Sequence, residues 1–322
     1  MHYVLFVAGR VGYEALRKMI GKCEINHVFI ESEHPHELVK YVDKCIEQCT
    51  DGNIPYTLDA TNNDIERTLK EEIAGGKAID YIMSFGYRRM IPLTVRDMAR
   101  IAAIGTHFAP LPRYRGFAPL NWVLINGESE TAVNIFLLED RVDSGDILDR
   151  EWVSIEYHDD ICSLFDKCVT AFHTVLDRVI PKLESGSFTA AKQDEAQATY
   201  ACARSPEDGM IDWNWSSRRI YDFVRAQTYP YPGAYSLWQG KKLIVWSCEE
   251  YDTPLYEGRI PGKVVSVLKD QGVVVLCGEG AVLLKDVQLM GGTSMTADRL
   301  IRSVRATLGC AFQGFGGLAW RE

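Results

Sequence analysis

Apolar runs alternate with amphipathic stretches through the first half of the chain. Tyr3 to Ala8 reads as a buried strand, and Gly9 and Gly12 flank a turn into a helix carrying Tyr13, Leu16 and Ile20. His27 to Ile30 is a second strand, while Leu38 to Cys49 and Ile65 to Ile73 have helical spacing. Ile79 to Phe85 and Ile101 to Thr106 continue the strands, with a loop and a short helix between them. Thr131 to Leu138 and Ile147 to Val153 bracket an acidic loop, and a long amphipathic helix from Ile161 to Leu183 closes the region. Alternation of this kind predicts an α/β fold, a doubly wound and mostly parallel sheet with its site at the carboxyl ends of the strands.

The pattern changes near Gly186. Lys192 to Thr199 is polar and lacks periodicity, so it reads as part of a linker. Beyond it come Ile211-Asp212-Trp213, a helix around Ser217 to Arg225, and short alternating runs: Ala234 to Trp238, Lys242 to Trp246, Gly262 to Val267, Val273 to Leu276 and Val282 to Val287. Glycine- or proline-bearing turns separate them, which suggests a small, OB-like β-barrel. The expected division is a catalytic domain over 1–188, a linker over 189–207, and a barrel domain with a terminal tail over 208–322. No internal repeat or low-complexity segment is visible.

Bulk properties narrow the function classes. A length of 322 residues favours two domains, and 47% hydrophobic with 25% charged residues is ordinary for a soluble globular protein. The formal net charge of −9 disfavours nucleic acid as the main partner, although a local basic patch can exist on an acidic protein. Nine cysteines are scattered without paired metal-ligand spacing; Cys45 and Cys49 lie one helical turn apart with no second pair nearby. Reduced thiols in a cytoplasmic enzyme are the expectation, with no metal. The amino terminus lacks a basic region before its short apolar run, and nothing approaches the ~20 apolar residues of a membrane span. The His34-Pro35-His36-Glu37 cluster reads as a solvated turn rather than a metal site.

Candidate chemistry centres on two segments. His107 ends a buried strand that runs into a proline-stiffened, cationic loop, Leu111-Pro112-Arg113-Tyr114-Arg115-Gly116. Asp143 lies in the loop Arg141-Val142-Asp143-Ser144-Gly145 ahead of a new strand. A histidine at a strand's carboxyl end with an acid on a neighbouring loop suits proton transfer. Arg113 and Arg115 read two ways, as solvated surface charges or as holders of a phosphate-bearing substrate. Arg10, the one charge in the loop Gly9-Arg10-Val11-Gly12, would face an acceptor. Trp213, Trp215, Tyr229 and Tyr231 read as packing at the domain junction rather than stacking on a ligand.

These segments resemble the folate-dependent formyltransferases, a family that includes methionyl-tRNA formyltransferase, the sugar-nucleotide formyltransferases and the formyltransferase half of the aminoarabinose-modifying enzyme. The family motifs are Asn-x-His followed by Leu-Pro-x-Tyr-Arg-Gly, and Asp-x-Gly; here His107, Leu111 to Gly116 and Asp143-Ser144-Gly145 match. Ala118 to Glu128 looks especially like the aminoarabinose enzyme. Asp212-Trp213, Val224-Arg225-Ala226, Pro232-Gly233-Ala234 and Pro261-Gly262-Lys263-Val264 look like the family's carboxyl-terminal barrel. The family asparagine, however, falls on Gly105, which puts the catalytic rate in question.

The resemblance implies a Rossmann-like catalytic domain, 10-formyltetrahydrofolate as formyl donor, and catalytic positions at His107, Asp143 and the altered Gly105. It implies a pterin pocket from the loop containing Phe85, Gly86, Tyr87, Met90 and Ile91 and from Leu138, Asp140 and Val142, with Tyr114 and Gly116 beside the two arginines near the acceptor. Formyl transfer needs a donor to the developing oxyanion; loss of one can cost about 2.7–4 kcal/mol. Gly105 has no side chain to donate, and strand alternation turns Thr106 to the other face. A backbone N–H, an ordered water, Asn121 or Asn134 could substitute. Methionyl-tRNA formyltransferases carry a basic insertion where this chain has the acidic stretch Glu31 to Glu37, so a nucleotide-linked amino sugar is the preferred acceptor. Another amine such as methionyl-tRNA, or a weakly catalytic folate- or sugar-nucleotide-binding relative, are the alternatives; a homodimer stays open.

Overall fold

The computed structural model describes residues 1–33 and 38–309, which leaves the His34-Pro35-His36-Glu37 cluster and the terminal tail outside the described residues. Two compact units emerge. The first comprises residues 1–120, 129–156 and 163–203; the second comprises 121–128, 157–162 and the chain from 204 onward.

In chain order the elements up to the second unit's main body are β1 (His2–Ala8), α1 (Gly9–Met19), β2 (Glu24–Glu31), α2 (Val42–Asp51), β3 (Tyr56–Leu58), α3 (Asn62–Ala74), β4 (Tyr81–Phe85), α4 (Leu93–Arg96), β5 (Ala102–His107), β6 (Arg115–Gly116), α5 (Pro119–Ile125), β7 (Glu130–Leu137), β8 (Ile147–Ser154), α6 (Ile161–Glu184) and β9 (Tyr200–Ala201). A seven-stranded sheet has the order β3-β2-β1-β4-β5-β7-β8. The strands from β3 to β5 pair in parallel, whereas β7 and β8 are antiparallel to their neighbours.

The central strands are continuous apolar runs because both faces are covered. Tyr3 to Val7 and Tyr81 to Met83 are fully buried, and Tyr3 stacks on Tyr81 at 5.4 Å. Strand order reverses between β1 and β4, the point where open sheets of this type bind ligands. There the β1 and β4 ends touch through a bridge between Val7 and Gly86. Gly86 has φ +69°, and a Cβ would lie 2.6 Å from the Ala8 carbonyl oxygen, so only glycine closes this junction. The helix α3 starts on a capping box, with Thr61 and Asp64 satisfying each other's backbone N–H groups.

The second unit continues with α7 (Ser217–Arg225), β10 (Ala234–Trp238), β11 (Lys241–Val245), β12 (Cys248–Glu250), β13 (Val264–Leu268), β14 (Gly272–Leu276), β15 (Ala281–Leu284), β16 (Asp286–Leu289), β17 (Met295–Thr296) and α8 (Ala297–Leu300). Its strands form two antiparallel sheets, β10-β11-β16-β17 and β12-β15-β14-β13. The apolar run from Val282 to Val287, which reads as one strand in sequence, is divided at Lys285. Val282 to Leu284 pair with β12 and β14, whereas Val287 pairs with Val245 of the other sheet. The chain changes sheets there, turning the corner between them. Trp213 is buried and donates to Ser236 at 2.9 Å, half-buried Trp215 packs edge-on against Phe223, and Tyr229 and Tyr231 are exposed.

Candidate functional site

His107 ends β5 with its side chain buried. Its Nε2 lies 2.7 Å from the Tyr114 carbonyl oxygen and its Nδ1 lies 3.4 Å from Asp143 Oδ2. A carbonyl only accepts, so Nε2 carries a hydrogen and Nδ1 is left to face the carboxylate. The same Asp143 oxygen accepts the Gly116 N–H at 2.8 Å, which fixes the direction of the carboxylate.

This meeting is not an automatic result of strand order. Antiparallel pairing sets Leu137 opposite Ile104, three residues before His107. At a rise of ~3.3 Å per residue, the loop after β7 must therefore return about 10 Å for Asp143 to reach the ring. Gly145 makes the return possible: a Cβ there would sit 1.7 Å from the Leu137 carbonyl oxygen. Asp143 itself has φ +50° and Tyr114 has φ +60°, conformations that non-glycine residues hold only when their surroundings impose them.

The surroundings come from the polar stretch that sequence periodicity assigns to a linker. Gln193 donates to the carbonyl oxygens of Asp143 at 2.8 Å and Gly145 at 2.7 Å. Its own oxygen accepts from the Arg115 guanidinium at 2.9 and 3.2 Å. Thr199 accepts from the Tyr114 N–H through its hydroxyl and from the Arg115 N–H through its carbonyl, each at 2.9 Å. Two pairs, Arg115 with Tyr200 and Gly116 with Ala201, then zip β6 to β9. Sequence reasoning does not single out Gln193, Glu195 or Thr199, because irregular bracing has no period to detect.

Arg115, which reads in sequence as either a solvated charge or a phosphate holder, is fully buried. Glu195 holds its guanidinium at 2.6 and 3.1 Å, and these hydrogen bonds push the Arg115 pKa up and hold the Glu195 carboxyl below its usual range. Arg113 lies over the Tyr114 ring at 5.1 Å. Arg10 pairs with Asp166 at 2.6 Å and sits over Phe165.

Gly105 is packed rather than open. A Cβ there would lie 2.7 Å from Leu138 Cδ2 and 3.1 Å from Phe136 Cζ, so any side chain at this position requires the tip of Leu138 to turn aside and the Phe136 ring to give slightly. Neither asparagine considered as a replacement donor is at liberty. Asn134 donates to the carbonyls of His107 at 3.0 Å and Ala109 at 2.5 Å while accepting from Arg150, which also bonds the Leu111 carbonyl. Asn121 donates to the Ala226 carbonyl inside the second unit. Thr106 donates across the sheet to the Asn134 carbonyl at 2.9 Å.

The residues expected around a pterin fall into two groups. Phe85 is core, packed against Phe172, while Ile91 belongs to the buried cluster of Val4, Phe6 and Phe29, against which Leu138 packs. Tyr87 rests edge-on against Phe6, and burial pushes its hydroxyl up to about 12. Met90 and Val142 are exposed, and Asp140, 78% exposed, is tied to Arg96. Arg96 also donates to the Leu138 carbonyl at 3.2 Å, linking α4 to the loop after β7. Loops from two strands thus present apolar side chains over a packed base. Among the described residues no group of histidine, cysteine and acidic side chains could hold a metal ion, and no helix is long and apolar enough to cross a membrane.

Residues 14–180 match the family profile described as "Formyl transferase", and residues 204–305 match "Formyl transferase, C-terminal domain". Among solved structures, HypX from Aquifex aeolicus in complex with tetrahydrofolic acid is 17% identical with a TM-score of 0.62, covering 92% of this chain and 46% of that one. The chain thus spans about half the length of that protein. An N-formyltransferase from Helicobacter canadensis in complex with folinic acid and dTDP-3-aminofucose is 14% identical with a TM-score of 0.65, covering 88% of this chain and 98% of that one. A 4-N formyltransferase from Francisella tularensis is 17% identical with a TM-score of 0.57, covering 73% of this chain and 91% of that one. At such identities the likeness is one of fold.

Proposed function

The chain belongs to the formyl transferase family, and from that premise we propose that it moves a formyl group from 10-formyltetrahydrofolate to the amino group of a nucleotide-linked amino sugar. One observation carries the reading: His107 Nδ1 faces Asp143 Oδ2 at 3.4 Å while Nε2 is anchored to a carbonyl. An anchored imidazole with one addressable nitrogen can deliver a proton to the departing nitrogen of the donor. Asp143, aimed by the Gly116 N–H, can collect the proton lost by the attacking amine. The separation is that of a pair before substrate arrives, since such contacts tighten in the reacting complex.

The folate supplies the one-carbon unit when bound. The loop after β4 and the loop after β7 suit it: Met90 and Val142 expose apolar surface, while Leu138 packs against the buried cluster that holds Ile91. A flat heteroaromatic ring is well served by apolar side chains beside backbone hydrogen-bonding groups.

A sugar nucleotide is preferred as acceptor because similar folds include proteins described as sugar N-formyltransferases. The charge of the early acidic stretch contributes less than sequence suggests, since Glu31 is paired by Arg88 and Arg89 at 3.4 and 3.2 Å. A second reading, a folate- or sugar-nucleotide-binding protein with slow turnover, is favoured by Gly105, beside which Leu138 and Phe136 pack while Asn134, Asn121 and Thr106 are each engaged elsewhere.

The purified protein, incubated with 10-formyltetrahydrofolate and a panel of amino sugar nucleotides, is expected to add one formyl mass to one of them, and His107→Ala to abolish this. Undiminished product from His107→Ala would overturn the mechanism. Binding of both ligands without product would favour the second reading.

A further inference from the structure

We infer that residues 193–201 form a brace that sets the His107–Asp143 pair, and that Gln193 is its positioning residue. The inference rests on the formyl-transfer reading for its kinetic consequence, and on the hydrogen bonds of Gln193 for its geometry.

Gln193 is held in four hydrogen bonds. Its nitrogen faces two carbonyl oxygens, of Asp143 and Gly145, which can only accept; its oxygen faces the Arg115 guanidinium, which can only donate. This chemistry excludes a flipped amide. The side chain therefore ties the backbone of Asp143 to the guanidinium of the residue preceding Gly116, and the Gly116 N–H in turn directs the Asp143 carboxylate. Six residues on, Thr199 grips Tyr114, whose carbonyl anchors His107 Nε2. The brace thus reaches both partners of the pair, each through a non-glycine residue in the left-handed region, Asp143 at φ +50° and Tyr114 at φ +60°. Its outer end is fastened by Glu195 on the buried Arg115 guanidinium. A segment serving only as a connection would have no reason to bury a guanidinium or to satisfy all four bonding positions of a glutamine.

Gln193→Glu is the informative change. It keeps an acceptor for Arg115 but turns an oxygen toward the Asp143 and Gly145 carbonyls, repelling the backbone that carries the carboxylate. Gln193→Met removes all four bonds at similar length. Both variants are expected to lower kcat about ten- to a hundredfold, as small misplacements of reacting groups do. The KM for 10-formyltetrahydrofolate should change less than kcat, since the loop after β4 is untouched and Gln193 bonds the loop after β7 only at the backbone of Asp143 and Gly145.

The second readout needs no turnover: the His107 ring nitrogen signals in labelled protein, assigned against His107→Ala, should shift in both variants. Wild-type kcat and unshifted His107 signals in folded Gln193→Glu and Gln193→Met would overturn the brace. So would a kcat loss accounted for entirely by a smaller folded fraction. Shifted ring signals in a protein whose wild type forms no formyl product would uphold the brace and remove the formyl-transfer reading instead.

Discussion

Gly105 shows how one residue can be explained by its neighbours rather than by its own backbone. Its Cβ position is taken up by Leu138 Cδ2 at 2.7 Å and by the Phe136 ring. Overpacking a filled site costs about 1–3 kcal/mol, so Gly105→Ala should lower the unfolding free energy by that amount in a denaturant titration. Gly105→Asn alone should be less stable still and no faster. Combined with Leu138→Ala, which removes the closer of the two contacts, the asparagine needs only a slight shift of Phe136; stability should partly return and kcat should exceed that of the Leu138→Ala variant alone. A faster, fully stable Gly105→Asn single variant would refute the packing account. His107 and Asp143 are legible at this scale because their flanking residues form dense local motifs. Gln193 and Thr199 are not, since a polar residue in an irregular stretch carries no mark of the backbone it will bind.

Elements were readable wherever a buried face repeats. Strand β10 and helix α7 run over the residues their spacing indicates, and β1, β4, β7 and β8 differ only at their ends. The pieces that escape are short or are defined by a distant partner: β3 at the sheet edge, and the two-residue pairing of β6 with β9, whose strands lie 85 residues apart. Helix α5 opens on Pro119, a start signal that the motif reading passes over. At this scale the α3 cap makes a clean test. Thr61→Ala removes the hydroxyl that accepts from Asp64 and should cost about 1 kcal/mol in thermal or denaturant unfolding. Formyl transfer should be unchanged, because α3 carries none of the proposed site residues. A stability loss below a few tenths of a kcal/mol would mean the box contributes little.

Across the whole molecule, two histidines make stability depend on pH. Burial pushes His27 below its ordinary value of 6.5 despite Glu72 nearby, while Lys77 also lowers it; burial likewise lowers His173 beside Glu14. A group whose folded pKa is depressed binds fewer protons when folded. Its stabilisation is present above the unfolded value and is lost as pH falls through the folded one. The melting temperature should therefore fall between about pH 7 and about pH 5, and His27→Gln should flatten that fall. An identical slope in the variant would exclude His27 as a contributor.

What the sequence determined by itself was the fold class and the candidacy of His107 and Asp143 as a pair, because periodic burial and compact motifs are local properties. Tertiary structure decided the rest. It brought Asp143 back along the sheet to His107, packed Leu138 and Phe136 beside Gly105, and turned a polar stretch into the brace around Arg115. Each of these depends on contacts between segments far apart in the chain, and such contacts leave no trace in the spacing of residues along it.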